Sequence, residues 1–207
     1  MKVLLVNGST KIHGCTYRAL SEMAKIFNEQ GIETEIIEMG ASAIHDCMGC
    51  GYCQKNYKCV FNDDLVNAII EKAKTCDGFV FGSPVFYAHP SGQILSLLDR
   101  LFYSASSVFY QKVGCAIVSA RRAGTTASLD VLNKYLLDAA MIIPSSSYWN
   151  MVHGRKSEEV EEDKEGLQTM RNLALNMAWI MKCIDFCKQN GILPPKLEEK
   201  VWTNFVR

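Results

Sequence analysis

The chain has 207 residues, 22 basic and 22 acidic side chains in balance, and 48% hydrophobic content. That length and apolar fraction suit one domain with a substantial core. The cancelled charge removes the field that nucleic acid or an anionic membrane would need. No apolar run approaches a membrane span, and Met1-Lys2 lead straight into a strand rather than a secretory signal, so a cytoplasmic location is expected. Nine cysteines is an odd number, and four of them crowd one segment; in a reducing compartment this favours metal or redox chemistry over disulfides.

Residues 3–6 (Val-Leu-Leu-Val) are short, apolar and without polar alternation, which predicts a buried parallel strand. A glycine- and hydroxyl-rich loop follows, with Ser9, Thr10, Lys11, Gly14, Cys15 and Thr16 before a helical pattern over residues 16–30. Hydroxyls, one cation and the free N–H groups at a helix start form a candidate cradle for a phosphate monoester. Neither the dinucleotide fingerprint nor the P-loop is present, and a βα turn also uses Gly and Ser for geometry alone. Residues 34–39 predict a second strand. Residues 41–62 show no periodicity and are too long for an idle connection, which predicts a functional or ligand-ordered loop. Asp63-Asp64 precede Leu65, Val66, Ile69 and Ile70, so a carboxylate cap is expected to open the next helix.

Residues 78–82 predict a third strand running into Ser83-Pro84-Val85-Phe86-Tyr87, with a helix from about residue 93. Residues 113–119 predict a fourth strand, followed by a helix over residues 126–140. Residues 141–144 predict a fifth strand, with Pro144 marking an edge or an end. Residues 148–154 read as loop, residues 160–188 as a long helix stopped by Gly191, and residues 192–207 as a C-terminal tail. Cys76, Cys115, Cys183 and Cys187 fall on apolar faces and read as core-filling thiols. Strands alternating with helices imply a parallel sheet covered on both faces. Its ligand site is expected beyond the carboxyl ends of the strands, where the loops after strands one, three and four converge.

The sharpest motif is Cys47-x-x-Cys50-x-x-Cys53-x5-Cys59, with Gly49 and Gly51 allowing a tight backbone. Three thiolates at this spacing wrap successive corners of a cubane and the fourth closes it, so a 4Fe-4S cluster fits. A four-cysteine zinc site and a set of metal-free thiols are the other occupancies open to these residues.

Together, Gly8-Ser9-x-Lys11-x-x-Gly14-Cys15-Thr16, Gly82-Ser83-Pro84-Val85-Phe86-Tyr87 and the cysteine loop make the chain resemble the NADPH-dependent FMN reductase branch of the flavodoxin-like proteins, and more closely the iron-sulfur flavoproteins. The resemblance implies a five-stranded parallel sheet in the order 2-1-3-4-5, forming an FMN-binding domain over residues 1–191. It assigns Ser9, Lys11, Gly14, Cys15 and Thr16 to the FMN phosphate. Pro84, Val85, Phe86 and Tyr87 fall to the isoalloxazine, and Ser119, Arg121, Arg122 and Gly124 to the loop after strand four, where a cation stabilises negative charge on the ring. Cys47, Cys50, Cys53 and Cys59 become the metal ligands. Lys11 stands where many relatives carry Arg, which keeps the charge and loses the bidentate fork. The implied activity is an NAD(P)H oxidoreductase, with no catalytic side chain and the chemistry centred on the flavin. A non-enzymatic carrier between ferredoxin and a partner is the alternative, as is a metal-free FMN reductase. A homodimer or homotetramer is implied as well.

Overall fold

The computed structural model describes residues 1–199 and 201–205. Its elements are β1 (Lys2–Asn7), α1 (Cys15–Glu29), β2 (Glu33–Glu38), α2 (Cys53–Asn56), α3 (Leu65–Ala73), β3 (Gly78–Phe86), β4 (His89–Pro90), α4 (Gly92–Phe109), β5 (Val113–Ala120), α5 (Thr125–Asp138), β6 (Met151–His153), α6 (Ser157–Val160) and α7 (Lys164–Gln189). The sheet runs β2-β1-β3-β5-β6, every neighbour parallel, while β4 folds back antiparallel on the end of β3. With that hairpin arm set aside, the order is the predicted 2-1-3-4-5 of a flavodoxin-like α/β fold.

Side chains alternate across the sheet as the pleat requires. Leu4, Val6, Phe79, Phe81, Ala116 and Val118 face α3, α4 and α5. Val3, Leu5, Val80, Cys115 and Ile117 face α1 and α7. Both faces are covered, which is why these strands read as unbroken apolar runs. Each fully buried Leu or Phe here contributes about 1.5–3 kcal/mol of transfer free energy.

The fifth strand corrects the sequence reading. Ile142 makes one isolated bridge to Val113, with Gly114 N–H donating to Ile142 O and Ile142 N–H to Lys112 O. Pro144 then has no N–H to extend a ladder, and the chain leaves the sheet through Ser145, Ser146 and Ser147. It returns at Asn150, whose carbonyl accepts from Val118 N–H and whose Nδ2 donates to Ala116 O at 3.0 Å. The true partner of β5 is therefore β6, paired with Val118, Ser119 and Ala120.

Smaller departures have similar local causes. The last helix is broken into α6 and α7, because Asp163 caps α7 by accepting from Gly166 N–H at 2.9 Å. The cysteine loop contains one helical turn, α2. Cys76 and Cys115 are buried as expected, whereas Cys183 is exposed, since the burial of α7 ends at Met181. Residues 192–199 and 201–205 form no helix or strand, and Lys200, Val206 and Arg207 of the expected tail lie outside the described residues. Among the described residues no helix is long and apolar enough to cross a membrane.

Candidate functional site

A cavity of about 420 Å³ opens at the carboxyl edge of the sheet. That volume lies within the range of small-molecule and cofactor sites. One wall is the loop from Ser9 to Thr16; a second is Pro84, Val85 and Phe86; a third is Ser119, Ala120 and Arg121. The fourth, from Gly154 to Glu158, follows β6 and carries Arg155 and Lys156.

The first wall carries groups that an anion could use. Gly14 stands at the N-cap of α1 and offers no side-chain cap, and no acidic residue occupies the first turn. The helix start thus keeps its N–H groups and its positive dipole end for an external anion. Ser9 is buried by donating its N–H to Asn7 Oδ1 at 3.1 Å, and its Oγ accepts from Lys11 N–H at 3.1 Å. Thr16 and Ser119 are both buried, with their hydroxyls 2.8 Å apart, so α1 and the end of β5 are linked at the cavity floor. Cys15 points to the fourth wall and donates to Gly154 O at 3.4 Å. Burial pushes its thiol up, which keeps it a protonated donor.

Close backbone approach sets the geometry of the second wall. Gly8 N–H donates to Gly82 O at 2.8 Å, and a Cβ on Gly8 would lie 2.9 Å from that oxygen and 2.7 Å from Ile94 Cβ. Ser91 caps α4 by accepting from Ile94 N–H, donates to Gly8 O at 2.8 Å, and gives its own N–H to Ser83 Oγ at 3.0 Å. The β3–β4 turn holds Tyr87 and Ala88 at φ of 51° and 60°. Gly124, at φ 91°, sits so close to this turn that a Cβ would come within 2.4 Å of Ala88 Cα.

The structure therefore brings Ser9, Lys11, Gly14, Cys15, Thr16, Pro84, Val85, Phe86, Ser119 and Arg121 around one cavity. Tyr87 is wholly exposed at the hairpin tip, because the left-handed turn directs it outward. Arg122 is exposed outside the lining, and Gly124 supports the turn from behind. Arg155 and Lys156 escaped the sequence reading because the fifth strand was expected one loop too early. Recognising Met151 to His153 as that strand would have placed the following loop on the same edge.

The cysteine loop lies along α4. Gln93 Nε2 donates to Ser42 O at 2.6 Å, Ser96 Oγ donates to Asp46, Arg100 reaches His45 O, and Cys53 Sγ lies 3.9 Å from Tyr103 O. Positions 93, 96, 100 and 103 share one helix face, so a single polar stripe pins the loop. Cys47, Cys50, Cys53 and Cys59 line one small pocket with Met48, Val60, Phe61, Arg100 and Tyr103. Burial raises the Cys53 thiol, and the three neighbouring cysteines raise it further. Among the described residues no group of three His, Cys, Asp or Glu side chains stands ready to hold a single metal ion. The donor set is four thiols, a set that suits an iron-sulfur cluster and is also open to zinc.

Asp63 is exposed beside His45, whereas Asp64 caps α3 by accepting from Val66 N–H at 3.1 Å and pairs with Arg100. Burial opposes both charges, yet their mutual hydrogen bonds outweigh it. Asp64 is held below the usual carboxylate range and Arg100 above the usual guanidinium value.

A family model described as NADPH-dependent FMN reductase matches residues 1–156. An iron-sulfur flavoprotein of Methanocaldococcus jannaschii is 31% identical over 194 residues, covering 89% of this chain and 99% of its own. An iron-sulfur flavoprotein of Methanosarcina thermophila is 23% identical over 189 residues, covering 89% and 97%. Among solved structures, RosB with bound 8-demethyl-8-formylriboflavin-5'-phosphate superposes with a TM-score of 0.66 at 15% identity, covering 100% of this chain and 92% of its own. An archaeal flavodoxin superposes with a TM-score of 0.61 at 13% identity, covering 88% and 99%; at such identities these two establish the fold alone. The chain belongs to the NADPH-dependent FMN reductase family, alongside proteins named iron-sulfur flavoproteins, and its role is that of an FMN-dependent oxidoreductase or electron-transfer protein.

Proposed function

We propose that this chain is an NAD(P)H-dependent FMN oxidoreductase that relays electrons through a 4Fe-4S cluster on its cysteine loop. The carrying observation is the uncapped, acid-free start of α1 beneath a cavity of about 420 Å³, walled by three further loops of the same sheet edge. Bound FMN supplies two-electron exchange with a nicotinamide and one-electron exchange with a metal centre. The Ser9 and Thr16 hydroxyls, the Lys11 cation and the α1 N–H groups hold the phosphate. Pro84, Val85 and Phe86 give an apolar face beside backbone donors for the ring, and Arg121 places positive charge at its edge. Cys47, Cys50, Cys53 and Cys59 hold the cluster. The remaining proposed assignments, Gly14, Cys15, Ser119, Tyr87, Arg122 and Gly124, shape or flank this cavity. A dimer or tetramer covering the open side of the cavity, and a cytoplasmic location, complete the reading.

Anaerobic purification with quantitation of iron, sulfide, zinc and flavin tests it. About four irons and four sulfides beside one FMN per chain is the expected result. Iron-free protein with one FMN overturns the relay and leaves a simple reductase. NADH and NADPH oxidation by the loaded protein tests the donor: failure with both, beside rapid reduction by a low-potential ferredoxin, assigns a carrier instead. Cys50→Ser removes the iron absorbance and spares flavin binding if the loop serves the metal alone.

A further inference from the structure

Arg100 is the largest fully buried side chain described, at 2% exposure, and the flavin cavity does not use it. Its Nε donates to Cys59 Sγ at 3.1 Å, its terminal nitrogens reach Asp64 and the His45 carbonyl, and its guanidinium lies 5.1 Å from the centre of the Phe61 ring. The Cys59 backbone is fixed independently: its N–H donates to Asn67 Oδ1 at 2.9 Å, and Asn67 Nδ2 donates to the carbonyls of Cys59 at 3.0 Å and Phe61 at 2.9 Å. Cys47 and Cys50, by contrast, stand exposed. One corner of the four-thiol pocket is thus built rigidly and faces a buried cation.

We infer that Arg100 is a positioning residue for the proposed cluster, holding Cys59 as its anchoring ligand and setting its reduction potential by hydrogen bonding and charge at that sulfur. This rests on the cluster reading above. A buried guanidinium beside a cysteinyl sulfur favours the state carrying one more electron, because Coulomb attraction is strong where water is absent. Hydrogen bonds to the sulfurs and net charge are established levers on such potentials. Asp64 opposes this effect, since its carboxylate neutralises Arg100 from the other side. The two residues should therefore move the potential in opposite directions.

The test is a dithionite titration with mediators on anaerobically purified full-length protein, followed by electron paramagnetic resonance and paired with iron quantitation. Arg100→Gln is expected to lower the reduction equilibrium about tenfold, a shift of about 59 mV to more negative potential for one electron. Arg100→Lys, which keeps the charge and loses the planar fork, should fall between the variant and the wild type. Asp64→Asn keeps a capping side chain on α3 and should shift the potential upward. Full iron content with an unchanged potential in Arg100→Gln, or shifts of one sign in both Arg100→Gln and Asp64→Asn, overturns the role of Arg100 while leaving the cluster intact. Should Arg100→Gln fail to fold or to retain iron, Asp64→Asn decides alone: an upward shift supports the inference and no shift refutes it. Wild-type protein without iron overturns both this inference and the relay on which it rests.

Discussion

Replacing Ser91 by Ala removes one oxygen that serves two groups at once. The hydroxyl caps α4 through Ile94 N–H and donates to the carbonyl of Gly8, and Ser91 is only 2% exposed, so water has little access to either partner. Losing an N-cap costs about 1 kcal/mol. Stranding the buried Gly8 carbonyl adds about 1–2 kcal/mol. The sum is about 2–3 kcal/mol, which for a domain of this size lowers the melting temperature by about 4–12 °C. Flavin-free protein is the proper sample, because bound ligand stabilises by mass action and masks the difference. The assay is thermal unfolding followed by circular dichroism, with flavin affinity measured separately by fluorescence quenching. Flavin affinity should fall as well, since Gly8 joins the first cavity loop to the second through Gly82 O. A loss below about 0.5 kcal/mol, the size of an ordinary surface substitution, would refute the linkage.

Thr16→Val should leave the fold standing while weakening FMN binding about 10- to 100-fold, because hydrogen bonds to a charged group are worth about 1.5–3 kcal/mol; isothermal titration reads this directly. Gly124→Ala forces a Cβ to within 2.4 Å of Ala88 Cα at a backbone φ of 91°. It should displace the β3–β4 turn and reduce flavin retention on gel filtration, and full retention would argue that the turn plays no part. Glu22 resists its own burial through hydrogen bonds from Arg171 and Arg18, which hold it below the usual carboxylate range. Its proton therefore binds more readily in the unfolded chain. The stabilisation is present above about pH 4.3 and fades as pH falls through the lower folded-state value. Glu22→Gln should flatten that acid limb in urea-unfolding midpoints measured from pH 6 to 3, and an unaltered limb would remove Glu22 from the account.

The strands that are buried on both faces were legible, because β1, β3 and β5 carry apolar runs with no polar break. The loops after β1 and β5 were legible for a related reason: hydroxyls, glycines and cations cluster directly where those strands end. The edge strand was not. Met141, Ile142 and Ile143 have the composition of a strand, yet Pro144 and the serines after it give a ladder nothing to extend. The real edge, Met151 to His153, is three residues long and is anchored by a polar residue, Asn150, whose side chain bonds into the sheet. Periodicity cannot register so short an element. Arg100 was invisible for a different reason. On an amphipathic helix it reads as one more solvated charge, and only the fold brings Asp64 and Cys59, distant in sequence, against it. Tyr87 shows the converse, a residue of suitable chemistry in a suitable stretch, turned outward by its own backbone dihedrals.

The turn at Tyr87 and Ala88 carries a consequence for attempts to stabilise this protein. Two successive left-handed residues are the backbone that Asn-Gly prefers, and each side chain held there costs roughly 1–2 kcal/mol. The chain nevertheless places a tyrosine ring and a methyl group at the tip, beside Phe86 of the cavity wall and against Gly124. Replacing the pair with Asn-Gly is the change that a consensus of hairpin turns recommends, and it should raise the melting temperature. It would also make the turn beside Phe86 of the cavity wall more pliant, so thermal tolerance and ligand capture are expected to trade against each other here.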